Sequence, residues 1–116
     1  MKFLLDTNIF IAALKGVKTV QQRLEKTPLS DILLSPIVLG ELELGVEKSQ
    51  FKQKNAERLA NIIKQIELVT IDRKVSKHYS VIRSHLEVRG VTIGSNDYWI
   101  AAQGLALNAT VVTDNI

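Results

Sequence analysis

Four acids of this chain stand where a carboxylate can do chemistry. Asp6 closes the unbroken apolar run Phe3-Leu4-Leu5, and Asp114 closes Thr110-Val111-Val112-Thr113. Short apolar runs of this kind are strands covered on both faces, and open parallel sheets place their ligand sites at the carboxyl ends of such strands. Glu41 lies in a helical stretch that begins at Ser35-Pro36. On a wheel of about 100° per residue it falls between Ile37 and Val38, whereas Glu43 and Glu47 lie about 40° apart and make the polar face. Asp97 occupies the first turn of a later helix and shares a face with Ala101 and Gly104, small residues that allow close approach to a sheet. That face is expected to look inward, and Asp97 with it.

Brought together, these acids repel. Two carboxylates ~6 Å apart do so by roughly 3 kcal/mol at an effective dielectric of about 20. A cluster of them must bind protons or cations, and a hard divalent ion with oxygen ligands is the natural solution. Mg²⁺ or Mn²⁺ held by few carboxylates keeps waters and can bind phosphate oxygens, which is the equipment for metal-assisted phosphodiester hydrolysis. Each acid also has an ordinary structural use. Asp6 and Asp114 can cap helices or turns, Asp97 can favour a helix N-terminus by its charge, and Glu41 can reach solvent from a boundary position. The occurrence of all four is what favours a site.

The elements that must position them follow the order of the chain. After the first strand, Thr7 or Asn8 can cap a helix whose body is Ile9 to Leu14, and Lys15-Gly16 stops it. Residues 17–26 read as a second short helix ended by Thr27-Pro28. Ile32-Leu33-Leu34 is a buried strand, and Ser35 then caps a helix with Pro36 at its first position, running to about Glu47. Residues 51–66 form an amphipathic helix with Leu59, Ile62, Ile63 and Ile66 inward. Leu68-Val69-Thr70-Ile71 is the third strand, and Asp72 caps a helix with the stripe Val75, Tyr79, Ile82 and Leu86, ended at Gly90. Thr92 to Ser95 turn into a helix over residues 96–107, and Thr110 to Thr113 are the fourth strand. The order is close to βααβααβαβ. Short apolar strands alternating with helices imply an α/β fold with a parallel sheet of about four strands, covered by helices.

At 116 residues, with 46% apolar and 23% charged residues, the chain suits one domain with one core. The net charge of +3 permits an anionic partner without requiring one. The absence of Cys removes disulfides, thiolate zinc sites and Cys nucleophiles, and is compatible with a cytoplasmic protein. Asp6 and Asn8 interrupt the N-terminal apolar stretch and argue against a signal peptide. No run approaches the roughly 18 apolar residues of a membrane span, so no membrane partner is expected. His78 and His85 flank the stripe of the long helix, far in sequence from the acids, which disfavours a zinc hydrolase.

Leu5-Asp6-Thr7-Asn8, the Glu41-Leu42 helix after Ser35-Pro36, Ile93-Gly94-Ser95-Asn96-Asp97 followed by Ile100-Ala101-Ala102, and Val112-Thr113-Asp114 resemble the motifs of PIN-domain ribonucleases. The resemblance is strongest to the VapC-type toxins of bacterial VapBC toxin–antitoxin modules, and it covers essentially the whole chain. It implies a PIN-like three-layer fold and a Mg²⁺- or Mn²⁺-dependent endoribonuclease, inhibited by a cognate antitoxin and commonly a homodimer. By motif, Asp6, Glu41 and Asp97 are the metal-binding acids, Asp114 supports them, and Thr7 or Asn8 orients the first of them. Asp114 and Asn115 both sit near the fourth acidic position. Chains of this family usually continue into a further strand or terminal segment, so residues 1–116 are expected to form a single PIN-like domain that stops short of it.

Basic residues gather at Lys48, Lys52, Lys54, Arg58 and Lys64, and again at Arg73, Lys74, Lys77, Arg83 and Arg89. Most suit solvated helix faces. Arg89, before the Gly90 turn that leads towards Asp97, is the best single candidate for an RNA phosphate contact. Tyr98 and Trp99 read as packing or dimer-contact residues before RNA-stacking platforms. Two rival classes remain: a PIN-like module that binds RNA or protein without cutting, and a receiver-like phosphoacceptor domain. The latter needs an acceptor Asp after a central strand and a Lys after a later one, and neither middle strand is followed by that arrangement.

Overall fold

Runs of apolar residues with no polar face to present are driven between layers, and here they form the middle one. In the computed structural model, which describes residues 1–113, β1 (Phe3–Leu5), β2 (Ile32–Leu34), β3 (Glu67–Leu68) and β4 (Thr110–Val112) make one sheet in the order β3-β2-β1-β4. Every pairing is parallel, with Phe3 opposite both Ile32 and Thr110 and Leu33 opposite Glu67. Six helices flank it: α1 (Thr7–Lys15), α2 (Lys18–Glu25), α3 (Pro36–Glu47), α4 (Lys52–Ile63), α5 (Arg73–Val88) and α6 (Ser95–Leu107). No described helix is long and apolar enough to cross a membrane.

The core joins β1 and β2 to Ile9 and Phe10 of α1, Val38 and Leu42 of α3, Leu59 of α4 and Ile100 of α6. Each fully buried aliphatic or aromatic side chain of this set contributes about 1.5–3 kcal/mol. The predicted helix signals at Ser35, Asp72 and Gly90 are realised. The Ser35 Oγ accepts from the Ile37 N–H at 3.1 Å, the Asp72 Oδ1 accepts from the Val75 N–H at 3.0 Å, and Gly90 takes φ 73°.

Four expectations are corrected. Both helices read between the third and fourth strands are present, so the full order is βααβααβααβ, one helix more than the string βααβααβαβ. The first helix is capped by Asp6 itself, whose Oδ1 accepts from the Ile9 N–H at 3.1 Å, and not by Thr7 or Asn8. The fourth helix spans only Lys52–Ile63, and Ile62 is exposed while Leu59 is buried. The third strand is shorter than the apolar run. Val69 still donates to the Leu34 carbonyl, but the Thr70 carbonyl accepts from the side-chain Nε2 of Gln103 at 3.2 Å. A side chain of α6 there takes the place of a neighbouring strand.

The close approach expected of the small residues on α6 occurs at Gly104. A β-carbon there would sit 2.6 Å from Val111 Cγ2 and 3.4 Å from the Ala109 carbonyl oxygen. Gly104→Ala would gain up to about 1 kcal/mol of helix propensity. Forcing apart β4 and α6 at a stiff, β-branched neighbour costs about 1–3 kcal/mol. The expected outcome is a lower melting temperature for Gly104→Ala, read by circular dichroism.

Candidate active site

The parallel sheet carries Asp6 to its carboxyl edge. The Asp6 N–H donates to the Val112 carbonyl at 3.0 Å, so the β1–β4 ladder continues through this residue, which is 9% exposed. Ladder bond and cap bond together fix the acid at the junction of β1 and α1.

Glu41 reaches the same region from α3. Its Oε2 accepts from the Thr7 hydroxyl at 2.7 Å and its Oε1 from the Asn96 Nδ2 at 2.9 Å. One carboxylate on the apolar side of α3 thus joins α1, α3 and α6, which is why an acid is tolerated at that half-buried position. Thr7 therefore braces an acid, as expected, but the acid is Glu41; Asp6 is oriented by its own cap bond. Asn8 is exposed on α1.

Asp97 stands in the first turn of α6, next to Asn96. It is exposed, against the expectation of an inward-facing side chain, because the first turn of α6 sits at the end of the buried stretch that begins at Tyr98. Its Oδ2 lies 3.3 Å from where a β-carbon would stand on Gly94. Asp114 and Asn115 lie outside the described residues.

Glu41 thus bonds to Thr7, the chain neighbour of Asp6, and to Asn96, the chain neighbour of Asp97. Among the described residues, no three His, Cys, Asp or Glu side chains stand together as a ready-made metal cage. The ion pairs among the described residues are Lys52–Glu47 at 3.0 Å and Arg83–Glu87 at 3.4 Å. Neither involves Asp6, Glu41 or Asp97. The donors that hold Glu41 are a hydroxyl and an amide, both neutral, so they fix its position without cancelling its charge.

Arg89 makes none of the hydrogen bonds that hold Asp6 and Glu41. It is the C-cap residue of α5 and lines a shallow depression of about 600 Å³ with Ser84, His85 and Val88. Tyr98 and Trp99 pack as expected. Tyr79 stacks on Trp99 with centroids 3.9 Å apart and meets Tyr98 edge-on at 6.3 Å, which seats α5 on α6. Arg83 crosses this cluster, 5.1 Å from the Tyr98 ring centroid. Its hydrogen bond to the Tyr79 hydroxyl, with the nearby Glu87, raises its already high pKa and keeps it cationic. Sequence reading missed Asn96 as the second donor to Glu41, and it missed Gln103. The only available signal was their spacing of seven residues, which places both on one stripe of α6.

An α/β domain with an acidic centre at the carboxyl edge of its parallel sheet is the class that fold and site define. The PIN domain family model matches residues 3–116, and the chain belongs to this family. It is 38% identical over 118 residues to Ribonuclease VapC2 of Rickettsia felis, covering 100% of this chain and 88% of the relative. It is 30% identical over 116 residues to the tRNA(fMet)-specific endonuclease VapC of Shigella flexneri, covering 99% and 87%. Among solved structures, VapBC2 from Rickettsia felis bound to a promoter DNA fragment superposes with a TM-score of 0.90 at 36% identity, covering 100% of this chain and 89% of that one. DNA-bound VapBC from Salmonella typhimurium gives 0.92 at 31%, covering 99% and 87%.

The Thr7 bond is open to direct measurement. Thr7→Val keeps the shape and removes the hydroxyl. It should lower the unfolding free energy by about 1.5–3 kcal/mol, the range for a hydrogen bond to a charged group, measured by urea denaturation without divalent ions.

Proposed function

We propose that this chain is an endoribonuclease, the toxin of a type II toxin–antitoxin module, that hydrolyses RNA phosphodiester bonds with Mg²⁺ or Mn²⁺. One observation carries the reading: in a chain of the PIN family, Glu41 is braced by neutral donors at a point shared with the elements that carry Asp6 and Asp97. A carboxylate held fixed without a side-chain cation suits a divalent ion. The donor set agrees, since Asp6, Glu41 and Asp97 offer hard oxygens. These three acids hold the metal, with Asp114 in support. When bound, the ion supplies an activated water and stabilises the leaving oxygen.

The protein's own part is placement. Asp6 is fixed by the β1–β4 ladder and by its cap on α1. Glu41 is fixed by Thr7 and Asn96. Asp97 is the exposed member, placed where an incoming phosphate can reach it. Arg89 contacts RNA phosphate. The names of the relatives, ribonucleases and an endonuclease called VapC, support the reaction class.

The proposed partners are RNA, a cognate antitoxin and a second copy of the chain, acting in the cytoplasm. A groove of about 610 Å³ lined by Ile11, Leu14, Leu42, Val46 and Leu59 opens beside Glu41. An antitoxin segment seated there would cover the acid. The VapBC composition of the similar structures supports such a partner.

Asp6→Asn keeps an oxygen for the Ile9 N–H, and Asn is as good an N-cap as Asp; Asp97→Asn changes an exposed side chain. Both variants should melt within a few degrees of the parent yet fail to cleave an RNA pool with Mg²⁺ or Mn²⁺. Mn²⁺ should raise the melting temperature of the parent and not of the variants. Parental cleavage by either variant would refute the assignment.

A further inference from the structure

Gln103 is fully buried in the middle of α6, and Ser35, also fully buried, stands at the carboxyl end of β2. The Ser35 hydroxyl donates to Gln103 Oε1, and the Gln103 Nε2 donates to the Thr70 carbonyl just past β3. The same Ser35 oxygen caps α3. Among the described residues, every buried side-chain polar atom has a partner, so this network is complete as it stands.

Its position relative to Glu41 gives it a second meaning. Ser35 and Glu41 are six residues apart, about 9 Å along α3; Gln103 and Asn96 are seven apart, about 10.5 Å along α6. At one end of this span Ser35 binds Gln103, and at the other Glu41 binds Asn96. Two struts of similar spacing therefore join the two helices. α6 is also seated on α5 and on β4, and these two struts add polar contacts to α3 at two separated points. The two struts differ in kind. The Glu41–Asn96 bond is exposed to water, which competes for both groups, whereas the Ser35–Gln103 bond is buried, where breaking it leaves polar groups unpaired.

We propose that Gln103 is a positioning residue, which sets the rotation of α6 so that Asn96 meets Glu41 and Asp97 stands beside it. For its effect on cleavage this rests on the acidic centre proposed above; for its effect on Asn96 it does not. Gln103 touches neither the acids nor the substrate. It works from two turns away, through the helix that carries both Asn96 and Asp97.

The test is a double-mutant cycle on the metal-free protein with Gln103→Met and Asn96→Ala, read as urea midpoints. A purely structural Gln103 gives additive losses. A positioning Gln103 gives coupling: Asn96→Ala lowers the midpoint in the parent and leaves it unchanged in the Gln103→Met background. If Asn96→Ala lowers both equally, the inference is wrong. Where Gln103→Met does not fold, Ser35→Gly removes the same strut from the other side with a tolerated N-cap, and the same two outcomes decide. In RNA cleavage, Gln103→Met should lower kcat by about 10–100-fold, the scale of a displacement near 1 Å, with KM within twofold. Parental kcat in a variant that shows coupling would confine Gln103 to placing Asn96 and overturn its role in the reaction. A parent that does not cleave would refute the proposed activity while the midpoint cycle still decides the placement.

Discussion

A carboxylate on the apolar side of a helix must be given partners, and the way Glu41 is given them organises this molecule. Its two oxygens are taken by Thr7 of α1 and Asn96 of α6. Three helices from distant parts of the chain are thereby tied at the carboxyl edge of the sheet. The bonds are charge-assisted on the acceptor side and so stronger than neutral pairs. Because both donors are neutral, neither cancels the charge of Glu41.

Around this point the fold supplies rigidity in graded amounts. Asp6 is held by backbone, through the β1–β4 ladder and the α1 cap, and is nearly buried. Glu41 is held by side chains, and Asp97 stands exposed at a helix start. The grading follows distance from the sheet: the ladder is the stiffest element, and each step away from it replaces backbone bonds with longer, more mobile connections. The buried Ser35–Gln103–Thr70 network extends that stiffness outward, so that α6 is anchored to the strand ends as well as packed on β4 through Gly104.

Much of this was legible in the residues. Phe3-Leu4-Leu5 and Ile32-Leu33-Leu34 announced buried strands because no polar face interrupts them, and Ser35-Pro36 announced the start of α3 because its cap chemistry is local. Asp6, Glu41 and Asp97 could be singled out, since acids at a strand end, on an apolar helix side and on a small-residue face each break a pattern. The hydrogen bonds that Glu41 accepts were not legible, because Thr7 and Asn96 lie 34 and 55 residues from it. Gln103 was invisible for the same reason. Its partners come from two strand ends, and nothing local distinguishes a buried glutamine from one in water.

The sequence by itself determined the buried runs of β1 and β2, the starts of α3 and α5 at Ser35 and Asp72, and the acids that stand out from their surroundings, since these depend on neighbours within a few residues along the chain. It could not determine which acid Thr7 would serve, how far the third strand would pair, or whether Asp97 would face inward. Those outcomes were decided by tertiary structure. A hydroxyl or amide takes whatever acceptor packing brings within about 3 Å, and a strand ends where a side chain such as Gln103 takes the place of its neighbour.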